Sequence, residues 1–107
     1  MLIGIDVGTT SVKAALFDMK GNALKSFGLA HETARPAAGL AEQNPDDWMM
    51  AVRAALVALS EGVAPGAIVA VGLCSQVNTH VFVNANGKAL MPAITWQDGR
   101  AAAEAAA

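Results

Sequence analysis

Met1-Leu2-Ile3-Gly4-Ile5-Asp6-Val7-Gly8-Thr9-Thr10-Ser11-Val12-Lys13 opens the chain. An apolar strand runs into a single carboxylate, the chain turns on Gly-Thr-Thr, and a second apolar run leads away to Phe17. Gly8, lacking a Cβ, lets the turn be sharp and brings backbone N–H groups close to an anion. Thr9, Thr10 and Ser11 add hydroxyls, and Lys13 adds positive charge. Asp6 is the odd member, because a carboxylate ~4 Å from a phosphate charge costs about 4 kcal/mol at an effective dielectric near 20. A hydrated Mg²⁺ between them removes that repulsion, so the stretch reads as a metal–phosphate corner. A plain β-hairpin whose loop uses ordinary turn residues is the alternative, and it leaves Asp6 unexplained. The spacing is neither a Walker loop nor G-x-G-x-x-G.

Working outward, Leu2–Val7, Val12–Asp18 and Ala23–Glu32 read as three strands in an antiparallel meander, with Lys20-Gly21-Asn22 as the second turn. The first two are apolar on successive residues, which predicts burial on both faces. Residues 34–43 read as loop. Asn44-Pro45-Asp46-Asp47 is a helix start: Asn44 can cap, Pro45 suits the first helical position, and two acids sit at the positive end of the dipole. Trp48, Val52, Ala55, Leu56 and Leu59 share one helical face, and Trp48-Met49-Met50 reads as core packing. Gly62 and Pro65 end the helix.

Ile68–Cys74 reads as a buried strand, then Gln76–His80 is a polar break and Val81-Phe82-Val83 resumes strand character. Asn84-Ala85-Asn86-Gly87 is a turn, and a short alanine-rich helix begins after Arg100. Strands, a helix and further strands predict an α/β fold with a mixed sheet and flanking helices. A right-handed crossover would lay the strand ending at Cys74 parallel to the first. Ligands commonly sit outside the carboxyl ends of such strands.

The second polar group follows that logic. Gln76, Asn78 and His80 come after one strand, and Trp96, Gln97, Asp98 and Arg100 after another. Amides and an acid pair with hydroxyls, and an indole face covers the C–H surface of a sugar. Equally, Asp98 can cap the last helix and pair with Arg100 while Trp96 packs in the core. His80 reads as structural.

Composition narrows the classes. The chain has 107 residues, enough for one core and one domain, and its net charge of -2 disfavours nucleic acid and acidic membranes as partners. Alanine supplies 24 residues and aromatics only 5%, so the core is built from small aliphatic groups. One cysteine, Cys74, excludes an internal disulfide and fits a cytoplasmic protein, and no apolar run reaches the ~20 residues of a membrane span. The N-terminus lacks the basic n-region of a signal peptide.

Ile3 to Lys13, together with Glu42-Gln43-Asn44-Pro45-Asp46-Asp47-Trp48, Val71-Gly72-Leu73-Cys74-Ser75-Gln76 and Pro92-Ala93-Ile94-Thr95-Trp96-Gln97-Asp98-Gly99-Arg100, resembles the FGGY carbohydrate kinases, the group that contains xylulokinase, gluconate kinase and glycerol kinase. The resemblance spans almost the whole chain. It implies a ribonuclease H-like, actin-type ATPase domain over residues 1–107, incomplete, with a second such domain outside this chain. It implies phosphoryl transfer from MgATP to a sugar or polyol hydroxyl, and inactivity of these 107 residues alone. By position, Asp6 would hold Mg²⁺ through water; Gly8, Thr9, Thr10 and Lys13 would face the phosphate; Gln76, Val77, Asn78, Trp96 and Asp98 would line the sugar. The family's catalytic base, an aspartate, would lie beyond residue 107.

After Gln76, xylulokinase-like members carry Met-His and glycerol kinase-like members Arg-Glu, whereas this chain has Val77-Asn78. Neither substrate therefore transfers to this chain. An actin- or chaperone-like ATPase, and a non-catalytic binding module, are the competing readings. Uncovered sheet surface makes self-association into a homo-oligomer compatible with any of them.

Overall fold

The computed structural model describes all residues, 1–107, as two compact units. The first comprises residues 1–31 and 47–75. It contains strands β1 (Leu2–Val7), β2 (Ser11–Phe17), β3 (Ala23–Ala30) and β5 (Ala70–Ser75), in sheet order β3-β2-β1-β5. Strands β1, β2 and β3 form the expected antiparallel meander, and β5 lies parallel to β1 with Val7 opposite Ser75.

Alternation then assigns the faces. Ile3 and Ile5 of β1 and Val12, Ala14 and Leu16 of β2 point to one side, where they pack with Ala51, Ala55 and Leu59 of helix α1 (Pro45–Ser60). Leu16, Leu59 and Val12 are the largest fully buried side chains, each stabilising the fold by roughly 1.5–3 kcal/mol. Helix α1 ends before Gly62, whose φ of 72° is the left-handed geometry a helix exit favours.

The expectation of burial on both faces fails here. The opposite face, with Gly4, Asp6, Lys13, Ala15 and Phe17, borders an open trough of about 610 Å³. Strand β5 is exposed along its whole length, including Val71 and Leu73, because it is a sheet edge beyond the cover of α1. The Trp48-Met49-Met50 cluster is not core either. Met49 and Met50 are exposed and Trp48 is half-buried; the buried stripe runs instead through Ala51, Ala55 and Leu59.

The second unit comprises residues 32–46 and 76–107. Within the expected loop, Glu42–Gln43 forms a short strand, β4, antiparallel to β6 (Ala93–Ile94). Around this pair Ala41, Gln43, Ala93 and Thr95 are buried. Asn44 caps the start of α1, its Oδ1 accepting from the Asp46 amide at 3.0 Å. Val81-Phe82-Val83 is no strand: single bridges join His80 to Ile94 and Val83 to Ala89 around the Asn84–Gly87 turn. Helix α2 is one turn, Ala102–Ala105. No helix is long and apolar enough to cross a membrane.

Candidate functional site

Five of the expected site residues fall together in the first unit. Asp6 is exposed on the open sheet face, opposite Lys13 of β2 on one side and Cys74 of β5 on the other. Both ion pairs of the chain are made by Arg100, so the Lys13 ammonium is not consumed by Asp6. The neighbouring Asp6 carboxylate pushes the Cys74 thiol above its usual range, chiefly through hydrogen bonding, with partial desolvation and the negative charge adding to it.

The turn between β1 and β2 closes with the Gly8 amide donating to the Ser11 carbonyl at 3.0 Å. A Cβ on Gly8 would lie 3.0 Å from that same oxygen, a tight contact that the turn would have to relieve by a few tenths of an ångström. Thr10 at the tip is exposed, and its carbonyl accepts from the His31 amide at 3.1 Å.

Sequence reasoning passed over His31. Its Nε2 lies 2.9 Å from the Gly8 carbonyl, which can only accept, so Nε2 carries the hydrogen. Its ring also meets Trp48 edge-on, with centroids 6.4 Å apart. The signal was available: a three-strand meander places the end of β3 beside the first turn.

The second unit holds the other five. Gln76 is half-buried, Val77 and Asn78 are exposed, and Trp96 is 52% exposed. Trp96 is thus a surface platform rather than core. Asn78 has φ 51°, the one non-glycine residue in left-handed geometry, where asparagine is among the tolerated types. His80 is exposed and serves through its backbone, bridged to Ile94.

Asp98 departs from its expected sugar-facing role. Its side chain is wholly buried, and its carboxylate accepts from the Ala41 amide at 2.6 Å, the Arg100 amide at 2.9 Å and the Arg100 guanidinium at 2.8 Å. Arg100 reaches on to Glu42 at 2.7 Å. The guanidinium bond, aided by the two backbone amides, holds the Asp98 carboxyl well below the usual carboxylate range. This is a scaffold clamp between two stretches of chain, with little capacity left for a ligand hydroxyl.

No cluster of three or more His, Cys, Asp or Glu is placed to hold a metal. A lone exposed carboxylate, Asp6, beside a glycine turn fits a hydrated Mg²⁺ shared with phosphate oxygens, and does not fit an all-protein cage.

A mixed sheet of this order, with its crossover helix on one face, is the arrangement of the actin-like ATPase fold, which the matching solved structures share. The chain belongs to the FGGY family of carbohydrate kinases, matching its N-terminal domain over residues 1–107. It is 34% identical over 104 residues to the xylulose kinase of Escherichia coli (strain K12), covering 97% of this chain and 22% of that protein. It is 38% identical over 104 residues to the glycerol kinase of Thermus brockianus, covering 94% of this chain and 21% of that one. The crystal structure of xylulose kinase from Rhodospirillum rubrum superposes with a TM-score of 0.89 at 27% identity, over 97% of this chain and 22% of that chain. The chain thus spans about a fifth of the length of the curated relatives it matches.

Proposed function

We propose that these residues are the N-terminal part of an ATP-dependent carbohydrate kinase, which transfers the γ-phosphate of MgATP to a hydroxyl of a sugar or polyol. The observation that carries this is the placement of Asp6: exposed at the exit of β1, opposite Lys13, and just before a tight turn in which Gly8 leaves little room for a side chain. On this reading Gly8 lets the main chain approach the phosphate, Thr9 and Thr10 offer hydroxyls, and Lys13 offsets negative charge. Asp6 would hold Mg²⁺ through water, and the ion when bound would neutralise phosphate charge.

In the second unit, Trp96 covers the apolar face of the sugar, while Gln76, Val77 and Asn78 line it. Asp98 belongs to the scaffold that supports them. The base that takes the proton from the acceptor hydroxyl is supplied from outside residues 1–107, as is the adenine pocket, so these residues alone are inactive. Since Asn78 is neutral, its own contribution to reading the acceptor is by amide hydrogen bonds.

The test is MgATP-dependent phosphorylation by the complete polypeptide across a panel of sugars, sugar acids and polyols, with products weighed by mass spectrometry. A phosphorylated acceptor is expected, with none from residues 1–107 alone. ATP hydrolysis stimulated by peptides or polymer ends, with no phosphorylated sugar, would favour a chaperone- or actin-like ATPase instead.

A further inference from the structure

We infer that Gln43, a residue with no place in the phosphate or sugar lining, is a positioning residue that fixes which way the Gln76 amide points; this rests on the reading of Gln76 as a sugar contact. Gln43 is 2% exposed. Its Oε1 accepts from Gln76 Nε2 at 2.8 Å, and its own Nε2 donates to Thr33 Oγ1 at 2.7 Å. Strand pairing fixes its backbone, since Gln43 lies opposite Ala93 in the β4–β6 ladder.

The physical need is plain. A glutamine amide can rotate by 180° and exchange its donor and acceptor ends at almost no intrinsic cost. A half-exposed Gln76 would then present a mixture of two patterns to a diol. Its remaining partner does not decide the matter: the Thr79 hydroxyl at 3.3 Å divides its single hydrogen between Gln76 Oε1 and the Val77 carbonyl. The short bond to Gln43 is what holds Gln76 Nε2 inward. One N–H and one lone pair of Gln76 are left on the ligand side, a matched donor and acceptor for neighbouring hydroxyls. Gln43 itself never touches the ligand.

The complete kinase tests this with the best acceptor and its monodeoxy analogues. Gln76→Leu first identifies the hydroxyl read by Gln76: the one whose removal no longer lowers kcat/KM. Gln43→Met, which cannot accept, is expected to shrink discrimination at that same hydroxyl by about tenfold, with KM for MgATP unchanged. Gln43→Glu keeps the acceptor and the shape, since the Thr33 hydroxyl can turn to donate, and is expected to restore it.

Unchanged discrimination in Gln43→Met overturns the inference. So does a loss that is equal at every hydroxyl, or one that Gln43→Glu shares. Should Gln43→Met fail to melt cooperatively, Thr33→Val is read the same way, with a loss of about threefold expected and none overturning the inference. A wild-type protein that phosphorylates no polyhydroxy acceptor sinks the kinase reading itself, a separate and recognisable result.

Discussion

The His31 ring donates from Nε2 to the main-chain oxygen of Gly8 at 2.9 Å, tying the end of β3 to the turn that follows Asp6. The amide of the same residue donates to the Thr10 carbonyl, so one residue grips the turn at two points. Replacing His31 by Phe keeps a ring against Trp48, deletes the Nε2 bond and also removes Nδ1, a buried nitrogen without a partner. The lost bond is worth about 1 kcal/mol and removal of the unpartnered nitrogen offsets part of it, so the net fall in stability should stay below that value. Amide exchange at residues 8–11 should accelerate, and KM for MgATP in the complete enzyme should rise more than KM for the acceptor. If exchange at the turn is unchanged, the ring is packing and not a clasp.

Asp98 makes a prediction about acid. Its carboxyl titrates below the usual range in the folded state because Arg100 and two backbone amides bind the charged form. A depressed folded value means that the stabilisation is fully present above the unfolded value near ~3.9 and is lost as pH falls through and below it. Asp98→Asn should therefore lower the urea midpoint at pH 7 and flatten its decline between about pH 5 and pH 2. An unaltered acid slope in the variant would show that the clamp is not what titrates.

The contrast between these two residues bears on what a sequence can reveal. The meander, the parallel return of β5 and the α1 start at Asn44-Pro45 were all readable, because strand alternation, turn glycines and helix caps act between near neighbours. Asp98-Gly99-Arg100 reads identically as a ligand contact or as a clamp. The deciding partners, Ala41 and Glu42, lie 57 and 58 residues away. Strand β5 misled for a similar reason: Ala70–Ser75 has the composition of a buried strand, yet burial depends on which neighbours cover it. His31 was missed because a lone histidine has no signature until the pairing of Ser11 with Ala30 sets it beside Thr10.

Asn78 separates backbone from side chain. At φ 51° most side chains are strained, by roughly 1–2 kcal/mol, whereas glycine is not. Asn78→Ala should thus destabilise by about 1 kcal/mol and Asn78→Gly by much less, while both lose the amide. Both should then raise KM for the acceptor to a similar degree. Thermal melts and acceptor kinetics on the pair distinguish the two effects; equal melting with unequal KM would contradict the assignment.

Asp6→Asn offers a readout at Cys74 as well as one in catalysis. The Asp6 carboxylate raises the thiol by accepting its hydrogen and by its charge, so less thiolate is present at pH 8 than for an unperturbed cysteine. Asp6→Asn removes the charge and leaves an amide oxygen that accepts more weakly from the thiol, so alkylation of Cys74 at that pH should speed up. Because Asp6 is exposed and makes no bond to the core, the unfolding midpoint should barely move. The magnesium dependence of phosphorylation in the complete enzyme should weaken sharply in the same variant. Faster alkylation with normal magnesium dependence would leave Asp6 a neighbour of Cys74 and nothing more. A variant that unfolds would instead make the corner a structural one.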